Sequence, residues 1–281
     1  MKTKRMKEND SGKAISNNRK RLLITDTPFA IKEAYVKLRT NLMFCMTEDK
    51  ERPCKVFAVT SAKPSEGKSL TAANIAISFA MLGKRTLLID ADLRKPTQRR
   101  LWRGEVNTGL CDFLARICPL ELAKVENLPL SLIFTGTIPP NPSELLASNR
   151  MRQFVEHCAS QFEYIIIDTP PINTVADAQI VSTFVDGMIV VAMSGNTTTE
   201  ELNSAIFSVH RAGGNICGVV LNDLNMRSMK YSYRYKYSDR YGYKSKYYYR
   251  YGSKNKYSYR YGSKYGYKYG ARDTNEEGEG A

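Results

Sequence analysis

Val56-Phe57-Ala58-Val59-Thr60-Ser61-Ala62-Lys63-Pro64-Ser65-Glu66-Gly67-Lys68-Ser69 decides the fold: an apolar, β-type run breaks into a loop that ends Gly-Lys-Ser. Ala62, followed after four residues by Gly67-Lys68-Ser69, has the spacing of a phosphate-binding Walker A loop, with alanine where the first glycine is usual. Each part answers a physical need. Backbone N–H groups at a helix N-terminus cradle phosphate oxygens, Lys68 neutralises the β/γ oxygens, and the Ser69 hydroxyl reaches Mg2+. The run before the loop reads as a strand. Leu70 to Leu82, apolar at Ile75, Phe79 and Leu82, reads as a helix, which is the context the motif requires. A nucleotide, with Mg2+ at the Ser69 hydroxyl, is the natural ligand of such a loop.

One helix further on, Thr86-Leu87-Leu88-Ile89-Asp90-Ala91-Asp92-Leu93-Arg94-Lys95-Pro96 is a strand-favouring run ending in two aspartates one residue apart. Both carboxylates then emerge at the carboxyl end of a strand, where α/β sheets place their ligands. Two acids beside a triphosphate suit metal holding and deprotonation of an attacking hydroxyl. Tyr164-Ile165-Ile166-Ile167-Asp168-Thr169-Pro170-Pro171 repeats the pattern as a Walker B strand, which the prolines stop. Between them, residues 108–115 and 142–158 read as helices, Ser131-Leu132-Ile133-Phe134 as a strand, and Pro139-Pro140-Asn141-Pro142 as the loop entering the second helix.

Met188–Met193 and Ile216–Leu221 are two further apolar strands around a helical pattern from Thr198 to Arg211. Strands that alternate with helices and read as continuous apolar runs predict a parallel sheet buried on both faces. The fold class is therefore α/β: a P-loop NTPase-like, mostly parallel sheet flanked by helices. Ahead of it, residues 28–46, with Tyr35, Leu38 and Leu42 at helical spacing, predict an amphipathic helix that either covers the sheet or docks on a neighbouring subunit.

Charge divides the 281 residues into three. Residues 1–21 carry eight Lys/Arg and two acids, 22–229 carry 21 of each sign, and 230–281 carry thirteen Lys/Arg and five acids. The net +14 thus belongs to the two ends. Polybasic ends seek acidic proteins, anionic membrane surfaces or nucleic acid. No apolar run reaches the roughly 18 residues that span a bilayer, and the start lacks a signal peptide's apolar core, so a cytoplasmic protein is expected. Six cysteines without C-x-x-C spacing, with only His157 and His210 to join them, read as reduced thiols rather than a zinc site. Three segments are expected: a flexible basic leader (1–27), a P-loop domain (28–229) and a disordered tail (230–281), whose 230–270 stretch holds sixteen of eighteen tyrosines and no aliphatic side chain.

Together, the loop Lys63-Pro64-Ser65-Glu66-Gly67-Lys68-Ser69, the acidic motif Leu88–Pro96, the strand Ile165–Pro171 and the tyrosine-rich end resemble the bacterial tyrosine kinases of capsule and exopolysaccharide synthesis, over roughly residues 28–225. The cytosolic Gram-positive type of that family is a separate kinase chain activated by a membrane-embedded partner, and this chain looks like that type. The resemblance implies that Ser65, Glu66, Gly67, Lys68, Ser69 and Leu70 contact the nucleotide. Asn222 would touch adenine, and Ser69, Asp90, Asp92 and Asp168 would hold the metal. Lys68, Asp90 and Asp92 would act in catalysis, Asp90 as the base for the tyrosine hydroxyl. The loop departs from the family in having Ser65 where glycine is usual. The family's ring-building helix motif, Glu-x-x-Arg-x-x-Arg, keeps Glu33 and Arg39 as oligomer-interface residues but has Val36 for the middle arginine, beside Lys37.

The resemblance also makes the tail the kinase's own substrate. Its phosphoacceptors would be Tyr231, Tyr233, Tyr235, Tyr237, Tyr241, Tyr243, Tyr247, Tyr248, Tyr249, Tyr251, Tyr257, Tyr259, Tyr261, Tyr265, Tyr267 and Tyr269. From Lys230 to Arg272 the net charge is +12. At about −1.5 to −2 per phosphotyrosine, roughly six to eight modifications cancel it. Two other readings stand beside this one: a solubilising tail, and a nucleic-acid module in which Arg/Lys meet phosphates and tyrosines stack on bases. The rival for the whole chain is a positioning ATPase of the ParA/MinD kind. Lys63 occupies the second-lysine position of that group's loop, but Pro64 and Ser65 replace its glycines. A third reading is a scaffold that uses ATP only as a switch. The absence of H-R-D and D-F-G excludes a eukaryotic-type kinase.

Overall fold

A computed structural model describes residues 22–23, 27–45 and 54–224. Residues 1–21 of the basic leader and the tyrosine cluster, with the expectations placed on them, lie outside the described residues; Leu22 and Leu23, counted with that leader, are buried, and the Leu23 N–H donates to Asn74 Oδ1 at 3.0 Å. The elements in order are α1 (Phe29–Phe44), β1 (Lys55–Ser61), α2 (Lys68–Ala80), β2 (Thr86–Asp90), α3 (Gln98–Trp102), α4 (Leu110–Leu114), β3 (Ala123–Lys124), β4 (Leu130–Ile133), α5 (Pro142–Ala147), α6 (Asn149–Ala159), β5 (Tyr164–Asp168), α7 (Asp177–Ser182), β6 (Gly187–Met193), α8 (Thr199–Arg211) and β7 (Ile216–Asn222).

The seven strands form one sheet in the order β3-β4-β2-β5-β1-β6-β7. Every pairing is parallel except β3 with β4. Alternate residues of a strand face opposite layers. In β2, Leu87 and Ile89 join the core under α5 to α8, while Leu88 joins the core under α1 and α2. Both faces are therefore dry, which is why β1, β2 and β5 read as unbroken apolar runs. Register sets the site: Asp168 lies opposite Asp90 on one side and Val59 on the other, so the carboxyl ends of β2, β5 and β1 stand abreast.

Helix α2 is buried at twelve of its thirteen positions. Its small residues, Ala72, Ala73, Ala76 and Ala80, let it lie close to the sheet, and α1 covers its other side. Ile31, Tyr35, Leu38 and Leu42 of α1 pack in the α2-side core. Arg39 clamps the pair, its Nη1 donating to the Ser78 carbonyl at 2.7 Å. Of the two expectations for this helix, the structure shows the covering one within the chain, over α2 rather than directly over the sheet.

Two expectations need correction. The single helix over 142–158 is two helices that meet at Ser148, whose backbone is extended (φ −65°, ψ 147°) and whose hydroxyl accepts the Met151 N–H at 3.2 Å. A serine that caps the second helix from outside has to leave the first. Strand β7 is not buried on both faces either: it closes one edge of the sheet, with Val219 44% and Leu221 49% exposed.

Candidate active site

The loop after β1 turns twice through the left-handed region, at Ser65 (φ 69°) and Gly67 (φ 91°), and delivers Lys68 as the first residue of α2. Gly67 is glycine for two reasons. Its φ disfavours a side chain, and a Cβ there would stand 2.2 Å from Asn222 Nδ2. Asn222, at the end of β7, donates to the Glu66 carbonyl at 2.9 Å. The Glu66 side chain is itself fully buried; it accepts from the Lys63 N–H at 2.9 Å and from the Thr197 hydroxyl. Lys63 reaches away from the loop's centre to the Asn196 carbonyl and to Glu201, both at 2.8 Å. The loop is thereby held in shape by the end of β7 and by the start of α8.

The acidic strands arrive next to it. Lys68 Nζ lies 2.8 Å from Asp92 Oδ2 and 3.5 Å from Asp168 Oδ1, with all three side chains almost out of solvent. Lys68 also donates to Ser69 Oγ at 3.2 Å. Burial alone would press the ammonium down; Asp168 and Asp92 outweigh it and hold its pKa above that of an ordinary lysine. Asp90 sits behind them, wholly buried. Its Oδ2 accepts the Thr97 and Gln98 N–H groups at 3.2 and 3.0 Å, while Oδ1 has no partner. Burial, reinforced by the Asp168 charge, pushes the Asp90 carboxyl well above the usual range, and burial likewise raises Asp168 against the pull of Lys68.

Gln98 is the residue that motif reading passed over. Its Nε2 donates to Asp168 Oδ2 at 2.8 Å and to the Ser69 carbonyl at 2.9 Å. Its own oxygen accepts the indole N–H of Trp102 at 3.1 Å, one turn later on α3. One buried carboxamide thus ties the loop, the β5 aspartate and the segment after β2 together. A glutamine four residues before the only tryptophan, past Pro96, gives no motif by which it could be recognised.

Of these groups Lys68, Ser69 and Asp92 line a cleft of about 620 Å3, together with Pro64, Ser65, Gly67, Leu70, Arg94, Lys95, Thr97, Arg100 and Leu101, and with Pro170, Pro171, Thr174 and Val175. The structure thus brings together Lys68, Ser69, Asp90, Asp92 and Asp168. It puts Asn222 on the other flank of the loop and keeps Glu33 and Arg39 on α1, apart from the cleft. Oxygen donors of this kind, a serine hydroxyl with carboxylates and an unpartnered Asp90 Oδ1, suit Mg2+. Among the described residues no three acidic, imidazole or thiol groups form a closed cage. Mg2+ commonly retains several waters and is bound through one or two carboxylates plus substrate phosphates.

A family model described as ParA, NUBPL iron-transfer P-loop NTPase, matches residues 53–247. Tyrosine-protein kinase YwqD of Bacillus subtilis strain 168 is 37% identical over 215 residues, covering 75% of this chain and 90% of the relative. Tyrosine-protein kinase CpsD of Streptococcus pneumoniae serotype 4 is 38% identical over 205 residues, 71% of this chain and 87% of the relative. The solved kinase domain of Escherichia coli tyrosine kinase ETK superposes with a TM-score of 0.67 at 34% identity, over 73% of this chain and 80% of that one.

Proposed function

This chain belongs to the bacterial tyrosine-protein kinases, on a ParA-like P-loop NTPase fold, and we propose that it phosphorylates the tyrosines of its own C-terminal cluster from ATP. The observation that carries the reading is the meeting of Lys68, Asp92 and Asp168 within 3.5 Å at the mouth of the phosphate loop, with Ser69 beside them. Arriving phosphates would draw Lys68 from its carboxylates, and the N–H groups of residues 65–70 would cradle them. Asn222 would border the adenine. Ser69, Asp92 and Asp168 would hold a Mg2+, which supplies charge neutralisation at the β- and γ-oxygens.

The acceptor's phenol has a pKa near 10. Its proton therefore leaves only as the O–P bond forms and the bond from phosphorus to the ADP oxygen breaks. Asp90, the base that the resemblance implies, lies behind Asp92 and would take that proton through a shift of the 90–98 segment. Positioning and charge stabilisation would supply most of the rate. The same resemblance extends the proposal to a role in capsular or exopolysaccharide synthesis at the inner face of the plasma membrane. There a membrane-embedded partner would activate the chain, and self-association would involve the helix that carries Glu33 and Arg39. No helix of the described residues is long and apolar enough to cross a membrane, so recruitment would rest on that partner.

Intact mass after bacterial co-expression with a candidate activator segment tests the proposal, with Lys68→Met and a chain ending at Met229 as comparisons. A ladder of phosphate additions in the parent chain, missing from both, is the expected result. ATP hydrolysis without a ladder, combined with salt-sensitive DNA binding, would instead favour the positioning ATPase, the reading that the ParA-type family match keeps open.

A further inference from the structure

Sheet order separates the two flanks of the phosphate loop. Strand β1 enters it, β6 and β7 lie to one side, and β5 and β2 lie to the other. Asn222 meets Gly67 from the β7 flank. The cleft lies on the opposite flank, between the segment after β2 and the segment after β5. It is therefore on the side where an acceptor would approach.

Its two walls differ. Pro170, Pro171 and Val175 make one wall largely apolar, suited to a phenol ring, while Arg94, Lys95 and Arg100 line the other, all three exposed. Arg94 is already satisfied: it forks onto buried Asp177 at 2.8 and 3.1 Å and donates to Ser143 at 2.9 Å. Lys95 and Arg100 have no ion-pair partner among the described residues. The only acid lining the cleft, Asp92, faces Lys68 in this structure and, in the kinase reading, would face Mg2+ once the phosphates arrive. Two uncompensated cations thus stand beside the acceptor's path.

We propose that Lys95 and Arg100 form a subsite that reads negative charge beside the target tyrosine, favouring tyrosines flanked by carboxylates or phosphotyrosine over those flanked by Lys and Arg. The inference rests on the kinase reading and names the substrate class of that same site. It has a consequence for the tail, where nearly every tyrosine neighbours a basic residue and the only acid between Lys230 and Arg272 is Asp239. The unmodified cluster is a poor substrate for such a cleft. Tyr237 and Tyr241, each two residues from Asp239, are the preferred first sites. Each phosphate then adds about −1.5 to −2 beside its neighbours and improves them as substrates, so that modification accelerates as it proceeds.

The test uses the full chain with its activator segment and two tyrosine copolymers, one with glutamate and one with lysine. A tail peptide, Tyr231–Tyr237, is added with and without a phosphate on Tyr233. The parent chain is expected to prefer the glutamate polymer and the phosphopeptide by about tenfold in kcat/KM, mainly through KM, and less so as salt rises past about 0.15 M. The double variant Lys95→Gln/Arg100→Gln brings the preference within about twofold, and Lys95→Glu/Arg100→Glu inverts it. Inversion is a gain that misfolding cannot mimic. An unchanged preference, or a loss carried by KM for ATP rather than by the peptide, overturns the inference. Anisotropy of the same labelled peptides decides the matter even if no phosphate is transferred: that failure sinks the kinase reading, whereas equal binding of the two peptides sinks this subsite.

Discussion

Two clefts of nearly equal size lie at opposite ends of the same strands, about 620 Å3 at the carboxyl ends and about 600 Å3 at the amino ends. Size therefore does not tell a site from a packing defect. Satisfaction of charge does. At the amino end, Arg152 donates to Thr183 at 2.9 Å and lies over the Phe184 ring, and Asp186 accepts the Val56 N–H at 2.7 Å. Cys54, which lines that cleft, and nearby Cys158 have thiols pushed up to about 12 by burial, so neither offers a nucleophilic thiolate at neutral pH. At the carboxyl end one ammonium faces three buried carboxyls, one carboxyl oxygen has no partner, and two loop residues take left-handed backbone. The amino end is built to be stable. The carboxyl end stores unmet interactions that a polyanionic ligand and a cation would satisfy.

The largest expected difference follows directly. Lys68→Met should cut phosphotransfer by at least about a hundredfold, because it removes the charge that meets the transferring group. Arg152→Ala, in the cleft of equal volume, should leave kcat within about twofold. Phosphate incorporation with labelled ATP measures both, and a comparable loss in the two variants would break the contrast.

Next in size is Gln98→Ala. Outer-sphere partners of metal ligands commonly carry about 10- to 100-fold in metal affinity or activity. The variant should therefore need correspondingly more Mg2+ to bind nucleotide. Trp102, the only tryptophan, loses its hydrogen bond to Gln98 in the same step, so its fluorescence response to nucleotide should be lost or changed. Gln98→Glu keeps the shape but sets a second acid against Asp168, and should be worse than alanine at neutral pH. A purely structural glutamine would lower melting temperature without moving the Mg2+ midpoint.

Much of this arrangement is legible in the chain. The apolar runs of β1, β2 and β5, each followed by a loop or an acid, fix the sheet and the abreast carboxylates, because parallel strands with both faces buried carry their pattern locally. Long-range contacts are not so encoded. Nothing near Gln98 announces Asp168, seventy residues away, and nothing in Ile216–Leu221 says that β7 will be the strand left at an edge. Short elements such as β3, α3 and α7 also escape periodicity, having too few residues to show one.

A smaller effect, opposite in sign for stability and function, is expected at Asp90. Its carboxyl is raised in the folded chain, so the native state holds a proton that the unfolded state releases near pH 4. Stability from this group is therefore present in acid and declines as pH rises from about 4 toward the raised value. Asp90→Asn keeps an acceptor for the Thr97 and Gln98 N–H groups and removes the buried titrating group. At pH 7 without nucleotide it should raise the melting temperature by about 2–6 °C, corresponding to roughly 1–2 kcal/mol, and flatten its pH dependence, while phosphotransfer falls. Calorimetry between pH 4 and 8 reads the sign, and a destabilised variant would mean that the carboxyl end is not frustrated as described.

The smallest effect concerns Ser65, where the family resemblance leads one to expect glycine. The structure gives the reason for glycine: at φ 69° a side chain costs about 1–2 kcal/mol that glycine does not incur. Ser65→Gly relieves that strain in the folded loop but frees the unfolded chain by roughly 0.5–1 kcal/mol, so the two terms nearly cancel and net stability should move by less than about 1 kcal/mol. The loop's N–H donors stay where they are, yet the serine's stiffness is gone. The variant should therefore bind ATP with an affinity within about threefold of the parent, and hydrogen exchange at residues 65–67 should be faster before nucleotide is added and similar after it. Equal exchange in both states would show that Ser65 is held by its neighbours, Glu66 through Lys63 and Thr197 and Gly67 through Asn222, and that the strain at the carboxyl end is a property of the surrounding frame rather than of this one residue.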